Sequence, residues 1–142
     1  MKAYKVFRVS NGKLFSLFMR GKAGIQYTPR QKSKGRVFED LDGKKVRLPI
    51  MAFKHFSHVR EFVEREKLLF FEIWEVEGRL SKKHKDFRPG ATTDLECFGK
   101  YIPRTSNYYL PSGTIFLDNC TPVKKIIGGK KVDEELHQPV IR

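Results

Sequence analysis

Between Phe53 and Gly78 the hydrophobic rhythm of the chain changes once. From Phe56 onward, Val59, Phe62 and Val63 recur at helical spacing, while Arg60, Glu61, Glu64 and Arg65 fall on the opposite face. This predicts an amphipathic helix with Ser57 as its N-cap. From Leu68 to Glu77 the sequence becomes a run of aromatic and β-branched residues ended by Gly78. That pattern predicts a strand that is apolar on both faces at first and therefore central in a sheet. A helix feeding straight into a buried strand gives the remaining segments a surface to pack on.

Those segments are short and mostly extended. Ala3 to Val9 predicts a strand, Ser10-Asn11-Gly12 a hairpin turn, and Leu14 to Met19 the returning strand. Ile25 to Tyr27 predicts a short strand and Pro29 to Gly35 an exposed loop. Val37 to Glu39 and Lys45 to Leu48 flank Asp40-Leu41-Asp42-Gly43, a second hairpin. Pro49 opens a strand at Ile50 to Phe53 or marks it as an edge. Further strands are expected at Tyr101-Ile102, Tyr108 to Leu110, Thr114 to Leu117 and Val123 to Ile127. Arg79 to Asn107 is too long and polar for an ordinary connection, which makes it a functional loop or a partly disordered one. About seven or eight short strands with one clear helix imply an α+β fold: a mostly antiparallel curved sheet or half-open barrel of short strands, with one main helix packed across it. A chain of 142 residues fits one such domain, placed at residues 1–127, with residues 128–142 as a C-terminal tail.

Charge changes this picture more than composition does. The formal net charge is +13. Self-repulsion of that size disfavours a compact chain unless a polyanion answers it, so nucleic acid, a nucleotide or an acidic protein surface becomes the expected partner. No apolar run approaches the roughly 18 residues of a membrane span. Cys97 and Cys120 form no C-x-x-C pair and read as reduced thiols, in keeping with a cytoplasmic location.

The positive charge is clustered. The stretch from Arg20 to Arg36 carries Arg20, Lys22, Arg30, Lys32, Lys34 and Arg36 without an acid. A second cluster holds Arg79, Lys82, Lys83, Lys85 and Arg88, beside His84. A third holds Lys124, Lys125, Lys130 and Lys131. Guanidinium groups fork onto phosphate oxygens, and the neighbouring Gly21 and Gly24 allow close backbone approach. The first two clusters are therefore the candidate phosphate-binding residues. Tyr27, Tyr101, Tyr108 and Tyr109 are the candidate base-stacking residues, with a place in the core as the competing explanation for Tyr27. The function expected is a non-catalytic binding module for a phosphate-rich ligand. Nucleic acid is the default ligand, and a nucleotide or cyclic nucleotide held in a basic pocket is the nearest variant. A motif-poor, Lys- and Phe-rich chain of this size is compatible with an accessory protein of a phage or mobile element.

Two other classes stay open. Glu75 and Glu77, two apart on a strand, share a face. With Arg8 on the first strand they are similar to the Arg and Glu-x-Glu elements of ADP-ribosyltransferases. That resemblance implies an arginine on dinucleotide phosphates and glutamates at the ribose; the Ser-Thr-Ser strand usual between them is missing. The third class is a module that binds an acidic protein surface. No cofactor or metal is expected: His55 and His58 are too few for a zinc site, and neither Gly21-Lys22-Ala23-Gly24 nor Gly128-Gly129-Lys130 has phosphate-loop spacing.

Overall fold

The computed structural model describes residues 1–17, 24–82 and 110–128. They form the expected α+β architecture, a mostly antiparallel sheet with one helix packed against it. β1 (Lys2–Ser10) and β8 (Phe71–Glu77) lie at its centre, paired from Lys2↔Glu77 to Arg8↔Phe71. β8 is central, flanked on its other side by β10 (Asn119–Gly128).

The far edge of β1 is shared. Its C-terminal end pairs with β2 (Lys13–Phe15), which pairs in turn with β3 (Gln26–Tyr27). Tyr4 pairs with Phe53 of β7 (Ile50–Phe53), and β7 pairs with β9 (Thr114–Leu117). The turn between β1 and β2 places Asn11 and Gly12 at φ of 52° and 75°, the left-handed pair that tight hairpins require. β9 and β10 lie beyond opposite sides of the β1–β8 pair, yet only Asp118 separates them in sequence. The sheet therefore bends back on itself, with Asp118 at the corner.

Both faces of the bent sheet are buried. Inside the bend lie Ala3, Phe7, Leu14, Tyr27, Ile50, Ala52, Val76, Leu117 and Cys120. On the outer face Val6, Phe53, Phe71 and Ile73 meet Val59, Phe62 and Val63 of α1 (Phe56–Glu66). This double burial explains the unbroken apolar run of β7, whose four residues are all buried.

Five boundaries differ from expectation. The second strand ends at Phe15, leaving Ser16 and Leu17 outside it. The N-cap of α1 is extended His55, not Ser57, because Phe56 enters the helix to pack edge-on against Tyr4 at 5.8 Å. The strand after the helix starts at Phe71 rather than Leu68, since Lys67 and Phe70 adopt left-handed φ values of 51° and 55° in the connection. The stretch expected as an exposed loop at Pro29 to Gly35 contains β4 (Ser33–Lys34), paired with the start of β10, and Gly35 is buried. The last strand begins at Asn119, ahead of Val123. Of the strands expected at Tyr101-Ile102 and Tyr108 to Leu110, all residues but Leu110 lie outside the described residues, and Leu110 is not in a strand.

A candidate anion-binding cleft

The cleft is built by a hairpin that stands apart from the main sheet. β5 (Val37–Glu39) and β6 (Lys45–Arg47) form a two-stranded sheet of their own. Asp40 closes its turn: Oδ1 accepts the amides of Asp42 and Lys44, each at 2.9 Å. At the base, Leu48 N–H donates to the Arg36 carbonyl at 2.9 Å. The Gly35 and Leu48 backbones approach so closely that a Cβ on residue 35 would overlap the Leu48 carbonyl. Arg47 locks this base from its side chain, donating from a terminal guanidinium nitrogen to the Gly35 carbonyl at 2.7 Å. Because strand side chains alternate, Lys45 and Arg47 leave β6 on one face and Val46 on the other.

The opposite wall is the segment after β8. Leu80 forms a bridge with Leu117, Ser81 N–H donates to the Phe116 carbonyl, and Asp118 N–H donates to the Arg79 carbonyl, both at 2.8 Å. Arg79 and Lys82 are thereby carried to the corner at Asp118. Lys34 joins them from β4, whose pairing with Asn119 fixes its position.

The result is a cleft of about 970 Å³ lined by Lys34, Lys45, Val46, Arg47, Leu48, Arg79, Leu80, Lys82 and Asp118. Among the described residues five cations face one carboxylate, a local charge of +4. The carboxylate is engaged: Arg79 Nε donates to Asp118 Oδ2 at 3.2 Å. Among the described residues no ion pair holds Lys34, Lys45, Arg47 or Lys82. A hollow lined mainly by one sign of charge raises the local concentration of anions.

The structure divides the sequence candidates. It brings together Lys34 from the first basic cluster with Arg79 and Lys82 from the second. Arg30, Lys32 and Arg36 are exposed and do not line the cleft; Arg36 instead donates from Nε to the Gly24 carbonyl at 2.9 Å. Lys124 and Lys125, from the third cluster, are exposed on β10 away from the lining. Arg20, Lys22, Lys83, Lys85, Arg88, Tyr101, Tyr108 and Tyr109 lie outside the described residues. Tyr27 is not placed to stack on a base. It is 2% exposed, packs against Phe7 with ring centroids 5.0 Å apart, and burial drives its hydroxyl pKa well above the usual value. Lys45 and Arg47 are the cleft residues that the cluster count misses. Their signal was the Lys-Val-Arg alternation in a predicted strand, which puts two cations on one face.

Arg8, Glu75 and Glu77 share a sheet face but are spread along it. Arg8 pairs with Phe71, so Glu75 lies four residues, about 13 Å, farther along, and Glu77 about 20 Å. The Arg8 guanidinium sits 4.8 Å from the Phe15 ring centre. Glu75 is 3.6 Å from Lys2 Nζ, and Glu77 is 3.9 Å from the N-terminal ammonium. The three side chains thus have separate neighbours, and the buried Arg8 Nε has no hydrogen-bond partner among the described residues.

Among the described residues one lysine is inside the fold. Lys5 Nζ donates to the Met51 carbonyl at 2.6 Å and lies 5.6 and 5.7 Å from the Phe7 and Tyr27 rings. Burial lowers its pKa to about 8, and burial raises that of nearby Cys120 to about 11. The cavity beside Lys5 is about 10 Å³, which leaves no space for a ligand larger than a single water.

No family model matches this chain, and no curated protein or solved structure is significantly similar to it.

Proposed function

We propose that the chain is a non-catalytic binding module whose cleft between the β5–β6 hairpin and the Arg79–Lys82 segment takes a phosphate-rich ligand, nucleic acid by default. One observation carries this reading: cations distant in sequence, Lys34, Lys45, Arg47, Arg79 and Lys82, line one hollow with a single opposing carboxylate among the described residues. Four net positive charges suit a chain of phosphates, each contact releasing condensed counterions.

The test is a fluorescence-anisotropy titration of a labelled mixed-sequence oligonucleotide across a salt series. Four phosphate contacts give a slope of log affinity against log salt of about −3 to −4. The double variant Lys45→Glu/Arg47→Glu is expected to bind about 100-fold more weakly, because two contacts become repulsions. Equal binding by wild type and double variant would remove the cleft from consideration.

A further inference from the structure

The lining of the cleft narrows the class of ligand, if the phosphate reading holds. We infer that the occupant is a single strand of nucleic acid gripped along its sugar–phosphate backbone, with its bases left unread.

Three features point to this. First, the side chains suit phosphate better than base edges. Three of the cations are lysines, point charges without a preferred hydrogen-bonding plane. Both arginines already have part of their fork engaged by the protein, Arg47 on the Gly35 carbonyl and Arg79 on Asp118. Bidentate reading of a guanine edge needs a fork that is open.

Second, the uncharged residues of the lining are aliphatic, and of these Leu80 is 45% exposed while Leu48 is buried. The Leu80 side chain accepts a sugar edge. Stacking of bases on a protein requires aromatic plates, and none belongs to the lining among the described residues. Tyr27, the one described tyrosine proposed for stacking, is enclosed in the core against Phe7 of β1 and beside its β2 partner Leu14.

Third, the site is concave. Its volume of about 970 Å³ falls in the range of pockets that enclose small molecules or a short chain segment. A single strand can lie within such a hollow. A duplex offers it a convex cylinder and reaches fewer of its cations at once.

The experiment is competition against labelled oligothymidylate by oligoadenylate, oligocytidylate, a duplex of equal length and a nucleoside triphosphate, each repeated with Lys45→Glu/Arg47→Glu. Base-blind binding predicts homopolymers that compete within about threefold of one another, with duplex and triphosphate at least about tenfold weaker. It also predicts that the double variant loses affinity for every homopolymer in parallel. A preference above about tenfold for one base, or a duplex or triphosphate that competes as well as the strand, overturns this inference. The phosphate reading survives that outcome as long as the double variant still loses binding. Binding that ignores the double variant, or no binding to any probe, overturns both.

Discussion

Lys5 and Lys45 carry the same functional group in opposite surroundings. Lys5 is on the inner face of the bent sheet, 5% exposed, with a carbonyl and two rings as neighbours. Lys45 is exposed on a hairpin beside four other cations. The fold tolerates Lys5 by weakening its hold on a proton. It tolerates the cleft cations because water and salt screen them. An interior charge is thus a matter of stability, and the clustered surface charge is a matter of binding. The same substitution at each position should separate the two.

The largest effect is expected from Lys5→Glu. It sets a carboxylate against the Met51 carbonyl oxygen with no buried donor to replace the ammonium, and should cost about 3–5 kcal/mol of folding stability. Lys45→Glu should change stability by less than about 0.5 kcal/mol and act on oligonucleotide affinity alone. Urea denaturation and anisotropy on both variants check the pair. Comparable destabilisation by the two would end the distinction.

Lys5→Met sharpens it. Removing a buried charge and keeping the apolar volume should stabilise the fold near pH 7 by about 1–3 kcal/mol, less whatever the Met51 carbonyl loses as an acceptor. The pH dependence has a definite sign. In the folded chain Lys5 loses its proton near pH 8, whereas the unfolded chain keeps it up to the ordinary value of 10.5. The unfolded state therefore binds more protons in that window, and wild-type stability rises with pH through it. Cys120 acts the other way above its ordinary value of 9.0, where the unfolded thiol ionises before the folded one, which holds its proton to about 11. The clean interval is about pH 8 to 9, with a gain of about 1 kcal/mol that Lys5→Met should abolish. Thermal melts of both proteins across that interval measure it.

The contrast also explains how much could be read from the chain. Helix and central strand were legible because Val59, Phe62 and Val63 follow one period, and Phe71 to Val76 belong to a sheet buried on both sides. Tyr27 was ambiguous because an aromatic residue in a basic stretch serves core and ligand equally well. Pairing with β2 settles it by turning the ring inward. The cleft was only half legible. Cluster counting finds Lys34, Arg79 and Lys82, but it also finds Arg36, whose guanidinium is anchored to the Gly24 carbonyl. It passes over Lys45 and Arg47 because two cations in a short strand make no run. Their convergence depends on the close approach of Gly35 to Leu48 and on the corner at Asp118, both contacts between residues far apart in sequence.

Asp118 gives the smallest effect and the finest test of the cleft. It is the single acid in the lining among the described residues, and its Oδ2 holds Arg79 Nε at 3.2 Å across an exposed pair. Such pairs contribute little to stability, about 0–1 kcal/mol, so Asp118→Asn should fold normally. Its amide N–H, which donates to the Arg79 carbonyl, is unaffected by the change. The guanidinium is then released to the ligand, and the local charge rises by one. Affinity for oligothymidylate should increase about threefold to fivefold, and the salt slope should steepen by about 0.7, the increment for one more contact on a single strand. A loss of affinity would mean that Asp118 positions Arg79 for the ligand rather than competing with it, and the steepness of the salt slope would then fall instead of rising.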